Sequence, residues 1–165
     1  FNGVCQIVSK LFMFVEPDKA YFGEKDFQQI DVIKAMVADY VSKDAEWAKR
    51  LEICPCPCVR EEDGLALSSR NTLLADNERA IAPNIYKALK ASVKYSKNHS
   101  VEETKQYAIE QINAVEGHEV QYYDIVNALT LESVASWDDA DHIQGCITVF
   151  CGATPIRLID NINYK

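Results

Sequence analysis

The sequence lacks any apolar run long enough to cross a membrane. One of its longest uninterrupted apolar stretches, residues 11–15, is far shorter than the roughly 18 residues that a spanning helix needs. No charged start followed by an apolar segment opens the chain, so no secretory leader is indicated. We therefore predict a cytoplasmic protein without a membrane partner.

Cysteine and basic residues are also scarce. Six cysteines among 165 residues are too few for a disulfide scaffold, which favours a reduced compartment. The 17 basic residues are outnumbered by 25 acidic ones, and the net charge of −8 repels a phosphate backbone. General nucleic-acid binding is therefore not expected, and any phosphate site has to be local.

The first part of the chain alternates helical and strand patterns. Apolar residues at helical spacing predict a helix over residues 2–15, and an aromatic segment at 19–22 predicts a strand that stops at Gly23. A second helix follows, the polar stretch 42–50 is interpreted as a surface insertion, and residues 51–54 form a strand that Pro55 and Pro57 terminate. Helix, strand, helix, strand indicates half of a parallel sheet.

The second part changes character. Residues 60–71 have no period and are interpreted as an irregular loop, and two helices and three strands follow. Pro83 interrupts the first of these helices, whereas Ser100 and Glu103 form a capping box for the second. The strands are predicted at 120–126, 146–150 and 157–159. This order is typical of an α+β domain, so we place a domain boundary between residues 1–71 and 72–165.

The junction between the first strand and the second helix is the first candidate site. Backbone N–H groups at a helix start favour an anion, and Lys25 adds a full charge there, immediately after Gly23. The alternative is that Asp26 only caps the helix, with Gln29 returning the bond.

The loop at residues 64–71 is the second candidate. Ser68, Ser69 and Arg70 offer two hydroxyls and a guanidinium fork after a parallel strand, where open α/β sheets bind ligands. The alternative is a solvated turn into the next helix.

Metal and hydrolase chemistry are poorly supported. Cys54, Cys56 and Cys58 alternate with prolines in an extended segment, which does not match the spacing of zinc ligands, so we interpret them as small buried apolar residues. His99, His118 and His142 are scattered and form no recognisable triad. We predict neither a metal ligand nor a catalytic residue of these types.

Taken together, the two candidate loops resemble the pantoate–β-alanine ligase family. The resemblance runs in order through several blocks of sequence and covers nearly the whole chain. The blocks are residues 3–4, 9–12, 17–18, 22–29, 36–39, 59–71 and 157–161.

The resemblance implies the fold and the reaction. It implies an α/β fold, the second half of a Rossmann-like nucleotidylyl-transferase sheet followed by a small α+β domain with helices on an antiparallel sheet. The family activates pantoate with ATP and Mg²⁺ as pantoyl adenylate, and the amine of β-alanine then displaces AMP. The resemblance also implies a homodimer for the intact enzyme.

The resemblance further implies roles for individual residues. Residues 67–70 match the KMSKS-like loop that closes on the triphosphate, and Gln29 matches the residue that holds pantoate. Expected ATP contacts are Gly23, Glu24, Lys25, Asp26, Val59 (through its backbone to adenine), Leu67, Ser68, Ser69 and Arg70.

One departure from the family is large. The His-x-Gly-His motif, whose imidazoles stabilise the phosphates in the family, is missing from this sequence. The chain thus resembles the C-terminal part of the enzyme, and we expect it to be inactive alone and residues 1–71 to be prone to self-association or local disorder. The alternatives are a stand-alone nucleotide- or phosphate-binding module and an interaction domain without catalysis.

Overall fold

The computed structural model describes residues 2–165, and the chain divides into two compact units on either side of residue 58. The first unit extends through Cys58 and the second begins at Val59. Segment 59–71 therefore belongs to the second unit by its packing, because Leu65 lies in the core of that unit. The domain boundary predicted from the sequence lies between residues 71 and 72, which assigns the second candidate loop to the nucleotide-binding domain. That functional division stays a prediction.

The first unit is a small parallel α/β structure. Its elements are α1 (Asn2–Val15), β1 (Lys19–Gly23), α2 (Phe27–Ser42), α3 (Glu46–Arg50) and β2 (Glu52–Cys56). Strands β1 and β2 pair in parallel, from Lys19 opposite Glu52 to Gly23 opposite Cys56. This arrangement confirms the predicted parallel pairing and the α/β class.

The prediction that Pro55 ends strand pairing is wrong. Pro55 lies inside β2, in register with Phe22. Among residues 2–165 only β1 pairs with β2, so alternate N–H groups of β2 have no ladder partner. Proline is tolerated in such an edge position because it removes no hydrogen bond there.

The segment interpreted as a surface insertion contributes to the core. Within α3, Ala48 is only 2% exposed and belongs to the cluster around Phe12 and Ile33. The Trp47 ring lies 5.0 Å from that of Tyr40, centroid to centroid. Residues 42–50 are mostly polar, so their composition did not indicate that one side of α3 packs into the core.

Helix α1 has one apolar face packed and another exposed. Phe12 is buried, whereas Ile7, Leu11, Phe14 and Val15 are 54–85% exposed. Exposed apolar surface of this kind favours association. The expected self-association of residues 1–71 remains a prediction.

No helix formed by residues 2–165 is long and apolar enough to span a membrane.

The second unit packs helices on an antiparallel sheet, as predicted. Its elements are α4 (Asp76–Ile81), α5 (Asn84–Tyr95), α6 (Val101–Asn113), β3 (His118–Asn127), β4 (Ile143–Cys151) and β5 (Ile156–Asn163). The strand order is β3-β4-β5, so β4 is central. Pro83 separates α4 from α5, and Ser100 and Glu103 form the predicted capping box.

The core of this unit lies between the sheet and helices α5 and α6. Leu89 and Ile112 from the helices are fully buried with Ile125, Ile143 and Val149 from the strands. Each strand is longer than its predicted segment, because flanking residues such as Ile143 and Ile156 also pair in the ladder.

Leu89→Ala is expected to lower the free energy of unfolding by about 2–5 kcal/mol, because it removes buried methyl groups and leaves a cavity. Leu129→Ala is the matched control, since Leu129 is 73% exposed and its truncation should change stability by less than about 0.5 kcal/mol. Denaturant unfolding followed by circular dichroism measures both. Equal losses would contradict the assigned core.

His118 is a buried imidazole at the start of β3. It is 8% exposed, it faces Cys151 across the ladder, and neither of its ring nitrogens has a hydrogen-bond partner among residues 2–165. Burial lowers the pKa of His118 below its ordinary value of 6.5, because the charged form loses its hydration. The folded protein therefore holds this side chain neutral.

The depressed pKa predicts a loss of stability on acidification. As the pH falls through about 6.5, the unfolded chain binds this proton before the folded chain does, so the free energy of unfolding drops by up to about 1.4 kcal/mol per pH unit. His118→Gln should flatten this slope between about pH 7 and pH 5, whereas His142→Gln, at an exposed position, should retain it. Denaturant titrations at several pH values measure the slope, and identical slopes for the two variants would contradict the assignment.

Candidate functional site

The candidate residues lie in two segments, one in each compact unit. Gly23, Glu24, Lys25, Asp26 and Gln29 follow β1 in the first unit. Val59 and residues 67–70 precede α4 in the second unit.

The first segment turns the chain from strand to helix within a few residues. Gly23 ends β1 with extended backbone, residues 24–26 form one turn of 3₁₀ helix, and α2 begins at Phe27. The Lys25 Nζ lies 3.3 Å from a carboxylate oxygen of Asp26. The Lys25 side chain is 21% exposed, so its charge is held close to the chain at the carboxyl end of β1.

The predicted helix cap at Asp26 is wrong. Asp26 has φ −94° and ψ 57° and makes no side-chain capping hydrogen bond to α2. Asp26 does occupy the position before α2, but it also ends the 3₁₀ turn, and its carboxylate lies near Lys25 instead of capping the helix. Gln29 lies in the first turn of α2 with a partly exposed side chain. The capping alternative therefore does not account for this segment.

Cys54, Cys56 and Cys58 are all of intermediate exposure. Cys54 and Cys56 lie in β2, where Cys56 is opposite Gly23. They are less buried than the sequence interpretation expected, because β2 has an open edge. Within the described chain, no group of three or more His, Cys, Asp and Glu side chains is placed to hold a metal ion.

The second segment begins as a hairpin rather than as an irregular loop. Arg60 and Ala66 form an antiparallel bridge, and the Leu67 N–H donates to the Val59 carbonyl over 2.9 Å. Gly64 has φ 95°, a conformation that favours glycine, and closes the turn by donating to Glu61. The sequence did not predict the hairpin, because charged residues at its turn obscure the short alternation of apolar and polar residues in its arms.

The hairpin leads directly into the residues predicted to form a KMSKS-like loop. The Ser68 hydroxyl oxygen accepts a hydrogen bond from the Arg70 N–H over 3.2 Å, which starts a 3₁₀ turn over residues 69–73. The Arg70 guanidinium is exposed and donates to the Arg157 carbonyl over 3.2 Å. Asn71 is buried and its amide donates to the Ala66 carbonyl over 3.0 Å. The two arms of the hairpin therefore bring Val59 and Leu67 together, next to Arg70.

Sequence reasoning missed the ion pair that anchors this hairpin. The Arg60 guanidinium donates two hydrogen bonds of 2.8 Å to the two carboxylate oxygens of Asp160 in β5. Its carbon also lies 3.5 Å from the ring centroid of Tyr86. The pairing joins positions 100 residues apart, and no local pattern reveals it. The only available signal was that both residues fall in blocks that resemble the ligase family.

Chemically, both segments suit a polyanionic ligand. Each presents one cation, Lys25 or Arg70, next to a turn of backbone that precedes a helix or 3₁₀ helix. Groups whose pKa the fold raises strongly, such as Tyr123 and Cys151, are buried in the core of the second unit instead. The segments therefore offer charge and hydrogen bonds rather than an acid–base pair.

The chain is similar to known proteins in sequence and in structure. The sequence model of the family described as pantoate-beta-alanine ligase matches residues 1–163. The chain belongs to the pantoate–β-alanine ligase family. The pantothenate synthetase of Phocaeicola vulgatus is 52% identical over 165 residues, and that of Bacteroides thetaiotaomicron is 53% identical over 167 residues. Both matches include all of this chain but only 56% and 55% of the relatives, so the chain spans little more than half of their length.

Solved structures of this ligase family show the same fold. Pantothenate synthetase from Thermus thermophilus superposes with a TM-score of 0.87 at 38% identity, over 99% of this chain and 56% of that protein. Pantoate-beta-alanine ligase from Francisella tularensis, solved with beta-gamma ATP and beta-alanine, superposes with a TM-score of 0.64 at 26% identity. That match covers 98% of this chain and 49% of the Francisella ligase.

Proposed function

We propose that this chain forms the part of a pantoate–β-alanine ligase that binds ATP through two segments and pantoate through Gln29. The supporting observation is the family match over residues 1–163, together with a solved relative that is bound to ATP and β-alanine. The intact enzyme would condense pantoate with β-alanine for pantothenate biosynthesis.

The proposed reaction has two displacements. The pantoate carboxylate attacks the α-phosphorus of ATP and releases pyrophosphate, which gives pantoyl adenylate. The β-alanine amine then attacks the acyl carbon and AMP leaves. Neither step requires a strong base from the protein, so positioning and stabilisation of negative charge would supply most of the rate.

Each candidate residue has a role that its geometry allows. Lys25 and Arg70 neutralise phosphate charge, while the backbone of Gly23, Glu24 and Asp26 borders the nucleotide. The second segment supplies the Val59 backbone to adenine and the loop of Leu67, Ser68 and Ser69 to the triphosphate. Support comes from the exposure of Val59 and Leu67, which are 66% and 52% exposed.

Mg²⁺ enters this proposal with ATP as part of the substrate. Magnesium is usually held by phosphate oxygens, waters and one or two carboxylates rather than by a complete protein cage. The segments described above each present one cation, Lys25 or Arg70, which suits the phosphates of such a complex, and they contain no group of three or more His, Cys, Asp and Glu side chains placed to hold a metal ion.

We also propose that the 165-residue chain does not complete the reaction by itself, that the intact enzyme is a homodimer, and that it works in the cytoplasm. The missing His-x-Gly-His motif supports the first point, because its imidazoles would stabilise the phosphates. Free cysteines support a reducing compartment. The dimer rests on the family resemblance, and light scattering of the intact enzyme would measure it.

A chimera tests the proposed function directly. In the Phocaeicola vulgatus synthetase, the matched segment is replaced by this chain, and AMP release is measured with ATP, pantoate and β-alanine. We expect AMP release that depends on both pantoate and β-alanine. Lys25→Ala and Arg70→Ala should each lower kcat/KM for ATP about 10- to 100-fold, the cost of one charged hydrogen bond.

Two matched controls make the test selective. Lys43→Ala removes an exposed lysine next to the end of α2 that pairs with the exposed Asp39, and Arg50→Ala removes an exposed arginine that pairs with Glu16. Both should retain the kcat/KM of the parent chimera within about threefold, because exposed ion pairs contribute little. A folded chimera that releases no AMP, or Lys25 and Arg70 variants that match these controls, would refute the proposal.

A further inference from the structure

We propose that Arg60 is a positioning residue for the nucleotide, acting through Asp160 and Tyr86 rather than by touching ATP. This inference rests on the proposed function, since it concerns the Val59 and Leu67–Arg70 contacts. It assigns a role to an ion pair that the ligase chemistry itself does not use.

The anchor is a buried, two-pronged contact. The Arg60 and Asp160 side chains are 16% and 4% exposed, and the two terminal nitrogens of the guanidinium, Nη1 and Nη2, each donate to the carboxylate over 2.8 Å. The Asp160 carboxylate also accepts the Asn161 N–H over 2.8 Å, which fixes it to β5. A bidentate pair removed from water has both a defined geometry and a strong dependence on each partner.

The same guanidinium also holds the hairpin turn. Arg60 donates to the Gly64 carbonyl over 3.2 Å and stacks on the Tyr86 ring of α5. A Cβ at Gly64 would lie 3.0 Å from that ring, so turn, guanidinium and ring are in close contact. One side chain therefore ties the hairpin to β5 and to α5 at once.

The hairpin transmits this anchoring to the proposed nucleotide contacts. Arg60 follows Val59 directly, and its bridge to Ala66 precedes Leu67. A hydrogen bond also joins the two arms of the hairpin, since the Leu67 N–H donates to the Val59 carbonyl. A shift of Arg60 relative to β5 therefore moves both arms, and with them the start of the KMSKS-like loop. Errors of about 1 Å in such positions are costly for binding and catalysis.

Lysine cannot replace this arginine. An ammonium group bonds one carboxylate oxygen well but lacks the planar fork that bonds both oxygens while it stacks on an aromatic ring. Arg60→Lys therefore keeps the charge and loses the geometry. Asp160→Asn is the complementary variant, because it keeps the size of the acceptor and removes its charge.

The experiment measures substrate constants in the chimera described above. Arg60→Lys and Asp160→Asn should raise KM for ATP by about tenfold and leave KM for pantoate unchanged, because Gln29 lies in the other segment. In the 165-residue chain, hydrogen exchange of residues 59–67 should accelerate at least about tenfold at a temperature where the variants remain folded. Arg50→Lys, an exposed arginine in an ion pair, should change neither quantity.

The outcomes separate this inference from the proposed function. Loss of thermal stability with an unchanged KM for ATP and unchanged exchange at residues 59–67 would make Arg60 purely structural and overturn the inference. If Arg70→Ala raises KM for ATP while Arg60→Lys does not, the inference also fails and the proposed function stands. If Arg70→Ala leaves ATP kinetics unchanged, the proposed function itself fails.

Discussion

The central strand β4 is the constraint on which the second unit depends. It pairs with β3 on one edge and with β5 on the other, and almost all of its residues are buried. Its position leaves little space above Gly145, where a Cβ would lie 2.7 Å from the Tyr123 hydroxyl oxygen. The Tyr123 and Tyr164 hydroxyls bond to each other there, and Ser92 of α5 bonds to Tyr164. Helix and sheet are thus joined by polar contacts as well as by apolar packing.

The burial of the sheet explains why the anchor of the hairpin is strong. Asp160 lies on β5 opposite Ile147 of β4, and the next residue, Asn161, is also buried. A carboxylate this far from water requires a cation, and Arg60 supplies it from the hairpin. By contrast, Arg79 and Asp63 form an ion pair from the same hairpin at the surface, with side chains 31% and 41% exposed. Exposed pairs of that kind contribute little, so the buried pair sets the position of the hairpin.

Much of the fold could be predicted because its signals are local. Apolar periodicity located α1, α2 and α6, Pro83 separated α4 from α5, and the Ser100 capping box marked a helix start that the structure confirms. The errors arose where the backbone conformation or the position of a strand in its sheet overrides a local rule. Asp26 fits a capping pattern, yet the 3₁₀ turn before α2 directs its carboxylate toward Lys25. Proline commonly ends a strand, yet at Pro55 the open edge of β2 allows the strand to continue.

The candidate site was predictable in composition but not in architecture. A lysine after a strand and a Ser-Ser-Arg run are visible in the sequence, and they are residue types that suit a phosphate. The hairpin that presents Val59 and Leu67 is not visible, since it depends on Asp160 at a separation of 100 residues. A net charge of −8 adds a further condition: isolated cations attract ATP weakly when the surrounding surface repels it. Under the proposed function, affinity for a nucleotide on such a surface has to come from fixed donor geometry, and an anchored hairpin would provide that geometry before the ligand arrives.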